Sequence, residues 1–150
     1  MTDANILAEE LGADSAEVVI GTFARTHASD PQVKAYGQLL VDDHSKAERA
    51  VRALAKKLAI TPQPPANDTT SQETAHTLAH LSTLKGYDFD TAFVQHEIVD
   101  HKADIDNAHK AITAAQSAEV KQFVEKSLPG LQKHLDRAQE LEKKLAAKKR

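Results

Sequence analysis

One segment of the chain, residues 89–112, combines a strong helical signal with side chains that are costly to bury. Its apolar residues recur at spacings of three and four, which predicts a helix with one buried face. Glu97 and His101 lie on that face one turn apart, so their side chains project into the same space. A buried carboxylate and a buried imidazole are unfavourable unless a metal ion or a hydrogen-bond network satisfies them. Polar residues of the other helices at the same height would indicate which of these two, a metal ion or a hydrogen-bond network, is present.

The composition predicts a single all-α domain over residues 1–150. Hydrophobic residues make up 41% of the chain and charged residues 27%, whereas aromatic residues make up only 4%. A chain of this length can bury a real core, and its abundance of Ala, Leu, Lys and Glu favours helices over strands. We expect the basic end, about residues 143–150, to be frayed and solvated.

Several functional classes are excluded by what the sequence lacks. Acidic and basic residues are interleaved, with a net charge of −3, so we expect no nucleic-acid partner. Without Cys there is neither a disulfide nor a thiolate metal site. No apolar run is long enough for a transmembrane segment. The chain starts without the basic and apolar regions of a signal peptide, which predicts a cytoplasmic protein if it is complete, or a leader that has been removed. No Gly-rich phosphate loop or nucleophile motif is present.

Four long amphipathic helices are predicted, separated by turn and cap signals. The two tight turns fall near Asp30–Pro31 and Ser117, and Pro129 predicts a kink or break in the last helix. A Pro-rich connection between the second and third helices contains a short helix of its own. The predicted ranges are 4–28, 31–60, 71–84 for the short helix, 88–115, and 118 onward.

These elements predict a ferritin-like four-helix bundle with a long connection, containing the short extra helix, between helices 2 and 3. The long connection can carry the chain back along the bundle. A simple up-and-down bundle stays open, because about 25 connecting residues do not force a crossover.

Every long helix places a polar residue on its apolar face at a similar height. At a rise of about 1.5 Å per residue, all of these residues fall near the middle of helices about 40 Å long. Asp43 and Asp100 precede two of the histidines and point about 100° away, so we expect them behind the ligands or on the surface. The other histidines, at positions 27, 76, 80, 96 and 109, are predicted to be exposed. The candidate metal ligands are Glu17, His44, His101 and His134, with Glu97 as a fifth ligand or a supporting group.

Segments distributed over almost the whole chain resemble a bacterial family catalogued as domain of unknown function 4142. The resemblance implies a ferritin-like bundle and an exported, periplasmic setting. It supplies no reaction. The matching segments are Ala16–Glu17–Val18, Val41–Asp42–Asp43–His44, Phe89–Asp90, Phe93–Val94, Asp100–His101, Leu128–Pro129 and His134–Leu135.

The candidate ligands differ from those of di-iron proteins of the ferritin-like group, in which two helices each carry Glu-x-x-His. Val41 and Ile98 stand three residues before His44 and His101. The sequence therefore favours a His-rich site for zinc or iron, with manganese or copper also fitting, in metal handling, redox or stress chemistry. Any enzyme activity would be that of a mononuclear redox site rather than of a ferroxidase. The competing hypothesis is a metal-free helical interaction or scaffold module with a hydrogen-bonded polar core. A homodimer is among the expected partners, since helical bundles often dimerise.

Overall fold

The computed structural model describes residues 1–149, and within that range the chain forms helices and no strand. The prediction of an all-α bundle is confirmed. No helix in this range combines the length and apolar character that a bilayer crossing requires. The helices are α1 (Asp3–His27), α2 (Pro31–Leu58), α3 (Thr70–Leu81), α4 (Gly86–Ala114) and α5 (Ala118–Lys148).

Side-chain caps begin three of the long helices where the sequence predicts them or within two residues. Thr2 and Asn5 form a reciprocal capping box at the start of α1. Asp30 accepts a hydrogen bond from a first-turn N–H of α2, and Pro31 occupies the first helical position. Ser117 caps α5 in the same way. These bonds satisfy N–H groups that have no partner within the helix.

Two buried or half-buried carboxylates fix the direction of α4. Asp90, near its start, accepts hydrogen bonds from the main-chain N–H groups of Ser29 (2.9 Å) and Asp30 (2.8 Å) in the α1–α2 turn. Asp3, at the start of α1, accepts two bonds of 2.9 Å from N–H groups of the α4–α5 turn. Thus α4 runs antiparallel to α1 and therefore parallel to α2.

Because α2 and α4 are parallel, residues 59–85 have to carry the chain back along the bundle. Gln63 is hydrogen-bonded to the start of α1, through the Ala4 carbonyl and the Asn5 amide. The following α3 then packs along α1. This single long crossover is the connectivity found in ferritin-like folds, whereas the simple up-and-down order is wrong. Kinship with the ferritin-like group stays a prediction.

A polar layer lies between two apolar clusters in the core. Along α1, α2 and α5, the polar residues fall between a segment that contributes to one cluster and a segment that contributes to the other. On α4, Glu97 and His101 alternate with the last residues of the first cluster and precede those of the second. The first cluster includes Ile20, Ala24, Tyr36, Leu40, Phe89, Phe93, Leu135 and Leu141. The second includes Ile6, Leu7, Val51, Ala108, Ala111, Val120 and Val124. The polar layer consists of Asp14, Glu17, His44, Glu97, His101 and His134, all of them buried.

The last helix differs from its prediction in two respects. It continues through Pro129 without a break. Pro129 and Glu125 are both exposed, so water can satisfy the carbonyl group that loses its helical partner. The helix also persists to Lys148 and buries Leu145, although fraying was expected from about residue 143. Lys148 forms an ion pair with Asp30, the N-cap residue of α2 in the turn between α1 and α2. Arg150 lies outside the described residues.

Candidate metal centre

Three helices bring three buried histidines together within the polar layer. His44 comes from α2, His101 from α4 and His134 from α5, and each exposes 5% or less of its surface. One ring nitrogen from each lies within 4.8 Å of the other two. The ring centroids are 5.1–5.9 Å apart. These three residues are called the histidine trio below.

Two members of the histidine trio are held by carboxylates on neighbouring helices. His44 Nδ1 lies 2.8 Å from Oδ1 of Asp14, which comes from α1. His134 Nε2 lies 2.7 Å from Oδ2 of Asp43, which comes from α2. A carboxylate accepts hydrogen bonds, so each of these ring nitrogens carries the proton and the other nitrogen of the ring carries a lone pair.

The third histidine is held within its own helix. His101 Nδ1 donates to the main-chain carbonyl oxygen of Glu97, at 3.0 Å. A carbonyl can only accept, so the proton is on Nδ1 and the lone pair is on Nε2. The Glu97 carboxylate, whose Oε2 lies 3.3 Å from Nδ1, favours the same tautomer.

The remaining ring nitrogens of the trio have no hydrogen-bond partner within residues 1–149. They are Nε2 of His44, Nε2 of His101 and Nδ1 of His134. Leaving a buried polar atom unsatisfied costs about 1–3 kcal/mol. Three such nitrogens in one small buried volume are unfavourable as they stand, whereas a cation bound by all three would satisfy them.

The pKa of His134 is lowered, chiefly because burial disfavours the charged ring, although the Asp43 carboxylate opposes this. The neutral ring that a metal ion requires is therefore favoured at this position. In contrast, the pKa of His101 is raised, because the adjacent Glu97 carboxylate outweighs the effect of burial.

Glu17 and Glu97 form a second group, which shares only His101 with the histidine trio. One carboxylate oxygen of Glu17, one of Glu97 and one ring nitrogen of His101 all lie within 4.8 Å of one another. Both glutamates are fully buried. Burial and then the Glu97 carboxylate raise the pKa of Glu17 well above its ordinary value. The pKa of Glu97 is lowered, because His101 outweighs the effect of burial. The five predicted ligands thus separate into two overlapping groups rather than one.

Asp14 and Tyr36 contribute to the centre but were not singled out from the sequence. Asp14 stands three residues before Glu17, so it shares a face of α1 with a candidate ligand, and that spacing was the available signal. Tyr36 donates from its hydroxyl to the main-chain carbonyl of His134 at 2.9 Å, which anchors α5 beside the site. Nothing in the sequence spacing relates Tyr36 to that carbonyl.

A pocket of about 750 Å³ reaches the centre from the surface, and His44 and His134 form part of its wall. Acidic side chains outnumber basic ones in its lining, including Glu10 from α1 and Asp104 from α4. His96, predicted to be exposed, is half-buried in this wall. The preceding residue, Gln95, is exposed, whereas the side chain of His96 lies in the wall of the pocket. The other four histidines outside the trio are exposed, as predicted.

Comparison with known proteins identifies a family and a fold but no reaction. The model of a family described as a domain of unknown function, DUF4142, matches residues 1–141. No curated protein matches the chain. A solved structure of a DUF305 secreted protein from Streptomyces coelicolor is similar, with a TM-score of 0.81 and 12% sequence identity. The similarity covers 96% of this chain and 93% of that one, and it supports the fold alone.

Proposed function

We propose that this protein, which belongs to the DUF4142 family of domains of unknown function, binds a divalent transition-metal ion at the histidine trio. Zinc or iron is the first expectation, and manganese or copper also fits the nitrogen donors. Two observations carry the proposal: three buried histidines bring ring nitrogens within 4.8 Å of one another, and each of them has a ring nitrogen without a hydrogen-bond partner in the described part of the chain.

The groups behind the histidine trio support this proposal independently. Histidines that bind metal usually donate their other ring N–H to a carboxylate or a main-chain carbonyl, which fixes the tautomer and the orientation of the ring. Asp14, Asp43 and the Glu97 carbonyl provide one such acceptor for each histidine. A core arranged only for hydrogen bonding would be expected to pair the inner nitrogens as well.

The pocket favours metal handling or redox chemistry over a purely structural ion. Three protein ligands leave a coordination position of the ion free for water or another small ligand. The pocket leads from the surface to His44 and His134, and its acidic lining favours the entry of cations. With iron, manganese or copper at the histidine trio, the free position would allow redox chemistry.

Elemental analysis of untagged protein, after reconstitution with one equivalent of zinc or iron, tests the proposal. We expect about one ion per chain in the wild type and loss of that ion in His44→Ala. His109→Ala is the matched control, because His109 is an exposed histidine on α4. A chelator should lower the melting temperature of the wild type and of the control, because an ion that binds only the folded state stabilises it.

Equal metal content in His44→Ala and the wild type would contradict the assignment. Wild-type protein that binds no ion after reconstitution, with a melting temperature unaffected by chelator, would support the metal-free interaction or scaffold module instead.

The exported setting and the homodimer stay predictions. The family resemblance supports export, and cell fractionation of the full-length protein tests it. Sedimentation of the purified chain measures its oligomeric state.

A further inference from the structure

We propose that Glu17 and Glu97, together with His101, hold a second divalent cation beside the histidine trio, which makes the centre dinuclear. The inference rests on the proposed function, because His101 belongs to both groups of donors. The centre would then hold two ions that prefer different donor atoms, rather than one ion bound mainly by histidines.

The first argument is the state of the carboxylates. Glu17 and Glu97 each expose 0% of their surface. None of their four carboxylate oxygens makes a well-directed hydrogen bond with the residues that the structure describes, although Oε2 of Glu97 lies 3.3 Å from Nδ1 of His101. Buried carboxylate oxygens of this kind are the donors that a hard cation prefers.

The second argument is charge. Two carboxylates in a buried site repel each other strongly, because little water screens them. Without a cation, the pair has to retain a proton to relieve this repulsion. One divalent ion between the two glutamates would neutralise both of them, so the second position would carry no net charge in the core.

The third argument is the position of the His101 ring. Its Nε2 has the free lone pair of the histidine trio, whereas its Nδ1 lies 3.3 Å from Oε2 of Glu97. The two ring nitrogens therefore serve the two groups of donors. His101 is therefore adjacent to both groups of donors and is the residue that they share.

The donors of the two positions differ, which predicts two kinds of ion. The histidine trio offers three imidazole nitrogens, which suit zinc or copper. The second position offers carboxylate oxygens with one nitrogen, which suit a harder ion such as Mn²⁺ or Fe²⁺.

Sequential loading tests the inference. The full chain is first loaded with one equivalent of Zn²⁺ and then titrated with Mn²⁺, with elemental analysis and the electron paramagnetic resonance of protein-bound Mn²⁺ as readouts. We expect one zinc and one manganese per wild-type chain. Glu17→Gln should keep the zinc and lose the manganese. Glu9→Gln is the control, because Glu9 is a partly exposed glutamate on the same helix. Circular dichroism establishes that both variants are folded.

Two outcomes would overturn the second position. Wild-type protein that holds zinc but never binds manganese or a second zinc would leave the glutamates as a proton-sharing pair. Loss of zinc together with manganese in a folded Glu17→Gln variant would indicate one site built from all five residues. Failure of the proposed function is a separate result, namely zinc content that does not depend on His44.

Discussion

At the scale of single residues, the centre depends on which nitrogen of each imidazole carries the proton. Asp43 lies one residue before His44 but holds His134 on another helix, so it links α2 to α5. Asp14 makes the equivalent link from α1 to α2. The carboxylates therefore arrange the histidine trio and also connect the helices that supply it.

Replacing Asp43 by Asn should weaken metal binding without changing the number of ions. An amide can donate to the histidine ring and favour the wrong tautomer, and loss of such a supporting group typically costs about 10–100-fold in affinity. Competition titration with a chromophoric chelator measures this change. Asp42→Asn is the control, because Asp42 is exposed and bonds only to Gln38 in the described structure. Equal affinities in the two variants would count against the orienting role of Asp43.

Residue roles were only partly predictable from the sequence. Helical rise places Glu17, His44, Glu97, His101 and His134 at one level, and the structure has them in one layer. Rise says nothing about lateral position, however, so the separation of the glutamates from His44 and His134 could not be foreseen. Asp14 was missed because its partner lies on another helix, and the relative rotation of two packed helices is not encoded in either spacing.

At the scale of helices, α1 and α2 approach each other closely at two glycines. A Cβ atom at Gly37 would lie 2.9 Å from the main-chain nitrogen of Arg25 and 2.9 Å from the carbonyl oxygen of Gly21. Because both contacts are with main chain, a side chain here would force the helices apart. The separation of α1 and α2 also sets the distance between Asp14 and His44.

Gly37→Ala should therefore destabilise the protein by about 1–3 kcal/mol, the usual cost of overpacking. Gly130→Ala is the matched control, since it also lies within a helix but nothing stands within 4 Å of its added Cβ. That variant should gain roughly 0.5–1 kcal/mol, because Ala favours the helix. Urea unfolding followed by circular dichroism measures both changes. A Gly37→Ala variant that is as stable as the control variant would refute the close-packing argument.

The helices themselves were largely predictable, because caps and apolar spacing are local signals. The direction of α4 was not predictable, because the connection is long enough for either direction. The hydrogen bonds that Asp90 and Asp3 accept from the two turns determine it. At Pro129 a kink or a break was predicted; the break is wrong, because the turn is exposed and solvent can replace the lost helical bond.

At the scale of the whole molecule, the acidic pocket should make stability depend on pH. Burial, then Asp14 and Glu9, raise the pKa of Glu10 to about 7. Burial, then Asp100, raise the pKa of Asp104 to about 8, against the opposing effect of His101. Both carboxyls have pKa values near 4 in the unfolded chain. At pH values between the unfolded and the folded pKa of these carboxyls, the folded state therefore binds more protons than the unfolded state. The free energy of unfolding decreases as pH rises through this interval.

We expect the melting temperature of the metal-free protein to decrease between pH 6.5 and pH 8.5. The double variant Glu10→Gln, Asp104→Asn should show a smaller decrease, because neither amide titrates. Calorimetry in the presence of chelator measures both profiles. A wild-type melting temperature that stays level or increases over this interval would contradict the assignment.

The order of the donors along the chain has a consequence for biosynthesis. The histidine trio takes its members from α2, α4 and α5, so His134 leaves the ribosome only after α1 to α4 have been synthesised. Both apolar clusters also need α5, so neither half of the core can close on a nascent chain that lacks it. The ion should therefore be acquired after α5 has been synthesised, by a folded bundle whose imidazoles are already oriented, rather than serving as the nucleus around which the chain folds.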